Sequence, residues 1–156
     1  MVSWDAQELM RAVLSEQLLD LERRDEWVGC VEDVIAHEVA NKKGLQGASI
    51  KLAYRALCKA RPDAVRHALA LCWVDWVGVF APLCDNVPPG ELADAFVLHR
   101  EVLVDGLLQV VDRRAAKTKA PVVERLYRSL RVHAREHVGR ALPSIAQAIE
   151  QRRGDR

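Results

Sequence analysis

The residues best suited to binding chemistry lie in one short stretch, residues 41–51 (NKKGLQGASIK), directly before a helix predicted over 48–60. The first amide groups of a helix lack partners and carry a partial positive charge, and glycines let an anion approach the backbone. The sequence therefore predicts an anion-binding corner formed by Lys42, Lys43, Gly44, Gly47, Lys51, Arg55 and Lys59. In the alternative interpretation, Gly44 caps the preceding helix, Gly47 eases the turn and the lysines are solvated.

A second pattern, His133-Ala134-Arg135-Glu136-His137, matches the H-x-x-E-H motif of inverted zincin proteases. Two histidines four residues apart on a helix can share a zinc ion, with the glutamate as general base. His137 falls on the apolar side of its predicted helix, and little chain follows to supply a third ligand. Core-lining histidines are the favoured interpretation, and a metal-dependent hydrolase using His133 and His137 is the alternative.

Several common classes of enzyme find no support in the sequence. Neither a Walker A motif nor G-x-G-x-x-G is present, and no serine or cysteine sits in a nucleophile elbow. The Gly44-x-x-Gly47 spacing occurs in KH-type RNA-binding modules, but those modules need strands that the sequence does not predict. No catalytic residue and no cofactor is assigned.

Apolar residues recur every three to four positions almost throughout, which predicts an all-α fold. We expect one domain over 1–156, a bundle of six or seven helices with short loops. The predicted helices cover 3–21, 25–41, 48–60, 62–80, 91–114 and 121 onwards, with a break at Pro143 before a short last helix. A proline- and glycine-rich loop over 81–90 separates the two halves, and 152–156 are expected to fray.

The helix predicted over 62–80 is apolar on more than one side. Trp73 and Trp76 lie on its main stripe, where core packing is expected, and Leu71 and Val74 lie opposite. The apolar residues on this second side predict that it is packed against another surface, either in the core or on a second copy in a homodimer.

The distribution of charge indicates which classes of partner the protein could bind. The net charge is +1, and residues 113–156 carry twelve basic residues, including Arg125, Arg128, Arg131 and Arg135. These arginines form either part of a neutral mosaic or a basic face for an anionic partner. Nucleic acid is disfavoured because only Tyr127 lies near them for stacking, and a membrane span is disfavoured because Asp75 interrupts the most apolar stretch.

Four scattered cysteines without an export signal predict buried thiols and a cytoplasmic protein.

The pattern Lys42-Lys43-Gly44-Leu45-x-Gly47-x-x-Ile50-Lys51-x-x-Tyr54, followed by Lys59-x-x-Pro62, resembles a small family of uncharacterised bacterial proteins. The resemblance continues in His137-Val138 and Ala141-Leu142-Pro143. It implies a helical fold and no established function.

Taken together, these features predict a non-enzymatic helical interaction module that binds an anionic ligand or an acidic protein through its basic corner. A metal-dependent hydrolase and a self-associating structural protein are the alternatives.

Overall fold

The computed structural model describes residues 14–153, which fold into a single all-α domain, so the predicted fold class is confirmed. Residues 14–19 are helical and lead through a 3-10 turn, Leu21–Arg23, into the first helix with two defined ends. The α-helices are α1 (Arg24–Ala40), α2 (Gly44–Ala60), α3 (Ala64–Cys84), α4 (Leu92–Leu98), α5 (Arg100–Ala115), α6 (Pro121–Arg131) and α7 (Ala134–Arg152). No strand occurs within 14–153.

Helix α3 lies at the centre of the bundle, between α1 on one side and α5 on the other. Its apolar residues recur at helical spacing, so one face enters the core: Leu69, Cys72, Trp73, Trp76, Val77, Phe80 and Cys84 are buried. Phe80 stacks on Phe96 of α4, with ring centroids 5.2 Å apart, and meets Trp76 edge-on. The prediction that Trp73 and Trp76 pack in the core is confirmed.

The other inner helices complete the core around this face. Helix α7 packs against α1, α4 and α5, and it buries Gly139, Ala141, Leu142, Ile145, Ala146, Ala148 and Ile149. Two tryptophans attach the N-terminal helical residues to this core. The indole of Trp73 donates to the Leu18 carbonyl at 2.6 Å, and that of Trp27 donates to the Gln17 carbonyl at 2.9 Å.

Helices α2 and α6 form an outer pair, packed chiefly against each other. Helix α6 contains no buried residue, and α2 buries only Gly47 and Ile50. Both helices keep an apolar stripe, but that stripe is half-buried because the pair rests on the edge of the core. The outer pair is therefore the part of the described chain held by the fewest buried side chains.

Four predicted boundaries were wrong. The helix predicted over 48–60 begins at Gly44, so Gly44 and Gly47 lie inside it rather than before it. The helix predicted over 91–114 is interrupted at His99, which separates α4 from α5. Pro82 lies inside α3, so the loop expected over 81–90 begins only after Cys84. The break expected at Pro143 occurs instead at 132–133, and Pro143 lies inside α7.

Both interior prolines follow a glycine by four residues, Gly78 before Pro82 and Gly139 before Pro143. A proline ring clashes with the carbonyl four residues earlier, and glycine is the residue whose backbone adjusts most easily. Buried neighbours on the same helices, such as Cys84 and Ile145, stabilise the continuation. Tertiary packing thus outweighs the helix-breaking tendency of proline.

The segments predicted at the two ends of the chain lie only partly within residues 14–153. The helix predicted over 3–21 is borne out for residues 14–19, and its start lies outside the described residues. At the other end, α7 extends to Arg152, and the side chain of Arg153 is only 5% exposed, so fraying does not begin at residue 152. The rest of the predicted frayed segment lies beyond the part of the chain that the structure describes.

The cover expected for the second side of α3 was not found in the monomer. Leu71 is 46% exposed and Val74 is 50% exposed. By length and composition α3 is also long and apolar enough to cross a membrane, with a mean hydropathy of 1.5 over its most apolar window. Its other face is buried in the core of the bundle.

We predict that Trp73→Phe lowers the free energy of unfolding by about 1–3 kcal/mol, because the buried Leu18 carbonyl loses its donor. Urea unfolding followed by circular dichroism measures this change. Val74→Ala, on the exposed side of the same helix, is the control and should change stability by no more than about 0.5 kcal/mol. Equal effects of the two substitutions would contradict the assignment.

Candidate functional site

A polar cleft of about 430 Å³ lies where the end of α1, the start of α2 and the first turns of α7 meet. It brings part of the predicted basic corner together with part of the H-x-x-E-H segment, two stretches almost ninety residues apart in sequence. Its lining residues are Glu38, Asn41, Lys42, Lys43, Gln46, Gly47, Glu136, His137 and Arg140.

Two glycines shape the backbone beside this cleft, which Gly47 lines and Gly44 does not. Gly44 has a φ of +75°, a left-handed conformation that other residue types rarely adopt, and it opens α2. Gly47 permits a close approach, because a Cβ atom built on it would lie 2.7 Å from the carbonyl carbon of Lys42. The left-handed Gly44 expected from the sequence is present, but at the first position of α2 rather than at the end of α1.

Lys42 is buried, with 8% of its surface exposed, although it carries a charge. Its Nζ atom lies 3.8 Å from Oε2 of Glu38, which is an ion pair but too long for a hydrogen bond. A buried ammonium is stable only when paired and hydrogen-bonded. The single long contact therefore leaves hydrogen-bonding capacity at the cleft.

His137 also lines the cleft, and its two ring nitrogens are buried without a hydrogen-bond partner. Burial lowers the pKa of the imidazole, and the nearby charge of Lys42 lowers it further. A neutral imidazole normally uses one nitrogen as donor and the other as acceptor. Both remain unused here, which is uncommon because an unsatisfied buried polar group is costly.

The first turn of α2 adds unpaired amides at the same place. Lys43 precedes the helix in an extended conformation, and no side chain caps its first amides. Lys43 itself has no ion-pair partner among the described residues. By contrast, Glu136 is already engaged by Arg140 at 2.6 Å. The cleft thus combines two lysines, an unsatisfied histidine and a helix N-terminus.

The structure gives the zinc-site hypothesis little support. His133 is the residue directly before α7, and its carbonyl accepts a hydrogen bond from the His137 amide at 3.2 Å. Their ring centroids are 6.3 Å apart, and Nδ1 of His133 lies 2.6 Å from the side-chain amide of Gln46. Within residues 14–153 no group of three or more His, Cys, Asp or Glu side chains could hold a metal ion.

The remaining residues of the predicted corner do not reach the cleft. Lys51, Arg55 and Lys59 follow one another along α2, and none of them lines the cavity. Lys59 lies twelve residues beyond Gly47, about 18 Å along the helix axis. The predicted corner therefore divides into a compact part at Lys42–Gly47 and a solvated line of bases.

The arginines of 121–140 form a charge mosaic rather than a free basic face. Arg131 makes a bidentate pair with Asp112, at 2.9 and 3.1 Å, and these hydrogen bonds lower the pKa of that carboxyl group. Arg135 is paired with Glu101 and Asp105, and Arg128 with Glu124. Three carboxylates of α5 thus neutralise Arg131 and Arg135, whereas Arg125 has no ion pair within 14–153.

Sequence reasoning missed Glu38, Gln46 and Arg140 as neighbours of the corner. Nothing in their local pattern distinguishes them from solvated helical residues. One signal did point to the juxtaposition, because the two stretches that carried the family resemblance, around Lys42–Tyr54 and His137–Pro143, are the stretches that meet here.

Comparison with known proteins agrees with that resemblance. A family model described as a family of unknown function, DUF6918, matches residues 14–153. The chain belongs to this family. No curated protein and no solved structure matches it significantly. Membership in the DUF6918 family therefore supplies no activity, and the geometry of the cleft is the basis for a functional proposal.

We predict that Gly47→Ala destabilises the protein by roughly 1–3 kcal/mol, because the added methyl group would overlap the backbone of Lys42. Gly78→Ala is the matched control. It adds the same methyl group to an exposed interior position of α3 with no atom within 4 Å. The higher helix propensity of alanine and the loss of the glycine before Pro82 act in opposite directions, so stability should change by no more than about 1 kcal/mol. Thermal unfolding of both variants measures the difference, and equal losses of stability would refute the close approach.

The lowered pKa of His137 predicts a pH dependence of stability. Because the folded pKa lies below the unfolded value of 6.5, the unfolded state binds the proton first as pH falls. The contribution of His137 is complete above pH 6.5 and is lost as pH falls through the folded pKa. We expect wild type to lose more stability than His137→Gln between about pH 7.5 and 5.5, as measured by urea unfolding in chloride buffers. Parallel profiles would show that His137 keeps an ordinary pKa.

Proposed function

We propose that this protein is a non-enzymatic helical binding module whose basic cleft takes up a small anion or the anionic group of a partner. The observation that carries the proposal is the presence of two underused polar groups in one cavity. Lys42 is buried with a single ion pair at 3.8 Å, and both ring nitrogens of His137 lack partners. An anionic oxygen between them would accept one hydrogen bond from the Lys42 ammonium and one from the ring nitrogen of His137 that carries the proton.

The backbone favours the same class of ligand. An anion in the cleft would face the uncapped first turn of α2, where partial positive charge accumulates. Gly47 keeps that turn close to Lys42, and Lys43 adds a cation with no partner among the described residues. These features suit phosphate, sulfate or carboxylate groups alike, so the proposal concerns their shared chemistry.

The cleft is better suited to binding than to catalysis. No serine, threonine or cysteine lines it, and its carboxylates are engaged by basic neighbours, Glu38 by Lys42 and Glu136 by Arg140. A nucleophile with an adjacent base is therefore not assembled there.

We further place the protein in the bacterial cytoplasm. Its four cysteines are unpaired, three of them are buried, and burial raises the pKa of Cys84 to about 12. Such thiols are inert and suit a reducing compartment. The net charge of +1 and the neutralised arginines disfavour nucleic acid as the anionic partner.

The proposal is tested by titrating the protein with sulfate at constant ionic strength, using chloride as the balancing ion. We expect the amide NMR signals of 44–47 and 137 to shift together in wild type. Lys42→Met keeps the aliphatic stem and removes the charge, and should weaken binding about tenfold or more, since a hydrogen bond from a charged group contributes about 1.5–3 kcal/mol.

Lys59→Met is the control, because it removes the same charge from the last turn of α2, outside the cleft. Its affinity for sulfate should stay within about twofold of that of wild type. Any remaining difference would come from long-range electrostatic attraction, which salt screens. Thermal unfolding confirms that each variant is folded. Equal affinities of the two variants, or shifts centred elsewhere, would exclude the cleft as the anion site.

A further inference from the structure

A second cavity, of about 310 Å³, lies on the other side of the outer helix pair, between α3, α5, α6 and the turn that joins α5 to α6. Its walls are mainly apolar. They are formed by Ala64, Ala68, Leu71 and Cys72 of α3, Val111 and Ala115 of α5, and Val123 and Tyr127 of α6. We refer to this cavity as the apolar groove.

Polar side chains link α6 to α5 beside the groove. The Tyr127 hydroxyl donates to the Asp112 carboxylate, which also receives the bidentate pair from Arg131. These contacts fix α6 at its distance from α5 and orient the Tyr127 ring as one wall. Leu71, although 46% exposed, therefore belongs to the lining of a shaped cavity.

The rim of the groove is basic. Arg61, His67, Arg114 and Lys119 line it, whereas Glu124 is its one acidic lining residue and is engaged by Arg128. Arg61 and Arg114 have exposed partners outside the lining, at 3.3 and 3.6 Å, and Lys119 has no ion pair within 14–153. Helices α3 and α6 also begin at this rim without side-chain caps, which adds partial positive charge.

An apolar floor under a cationic rim is complementary to an amphipathic anion. We propose that the apolar groove binds an unbranched medium-chain carboxylate, with its alkyl chain between Leu71 and Val123 and its carboxylate at Lys119 and Arg114. The volume is at the small end of the range of about 300–1,000 Å³ for ligand sites, which suits a chain of about eight carbons. This site is separate from the cleft at Lys42 and does not depend on it.

A second copy of the chain is a poorer occupant. In a two-fold dimer the same patch faces itself, so Lys119, which has no ion pair within 14–153, would lie near the basic rim of the other copy. Like charges brought together oppose association. Charge complementarity thus favours the carboxylate over self-association through this face.

The test uses octanoate as the probe, followed by calorimetry and by amide NMR shifts. We expect wild type to bind octanoate with shifts at residues 68–72, 111–115 and 118–123. Leu71→Glu places a carboxylate in the groove and should weaken binding at least tenfold. Val74→Glu is the matched control, because Val74 lies on the same helix with 50% exposure but outside the lining, and its affinity should stay within twofold.

Two further measurements test the role of the basic rim of the groove. 1-Octanol has the same chain without the charge and should bind at least fivefold more weakly than octanoate. Lys119→Gln should weaken the binding of octanoate about threefold and leave the affinity for 1-octanol unchanged. Circular dichroism confirms that the variants fold.

Three results would overturn the proposal. Equal octanoate binding by the Leu71→Glu and Val74→Glu variants would remove the groove as the site. Equal affinities for octanoate and 1-octanol would remove the carboxylate from the recognition. A wild-type dimer that Leu71→Glu dissociates, detected by sedimentation, would show that the occupant is a second copy.

Discussion

Burial of the main face of α3 is the interaction that joins the rest of the molecule into one body. Trp73 and Phe80 are fully buried on this face, and each large apolar side chain removed from water contributes about 1.5–3 kcal/mol. Helices α1 and α5 pack directly on this face, and α4 contacts it through the Phe80–Phe96 stack. Helix α7 packs against α1, α4 and α5 and completes the core. The helices outside this arrangement can only pack on its edge.

That edge is where both cavities lie. The outer pair α2–α6 contributes few buried side chains, so its position is set by glycine contacts and ion pairs rather than by dense packing. At one end, Gly47 brings α2 against Lys42 and leaves the polar cleft beside His137. At the other, hydrogen bonds to Asp112 link α6 to α5 beside the apolar groove. A polar and an apolar site thus share one structural origin.

The sequence was sufficient for the helices and the core but not for the sites. Helical periodicity reports which residues face inward, so the burial of Trp73 and Trp76 could be predicted. It does not report whether a neighbouring helix covers a second stripe, and Leu71 remains half exposed for that reason. Proline at 82 and 143 misled the boundaries because packing outweighed its local preference. The meeting of Lys42 with His137 depends on tertiary geometry, which local spacing cannot convey.

The absence of any fully buried residue in α6 has an evolutionary meaning. Substitutions on this helix can alter the wall of the groove while the core that folds the chain remains intact. The residues that stabilise the core and the α6 residues that line the proposed ligand site are therefore different, so a change in the proposed ligand would not require a change in the core.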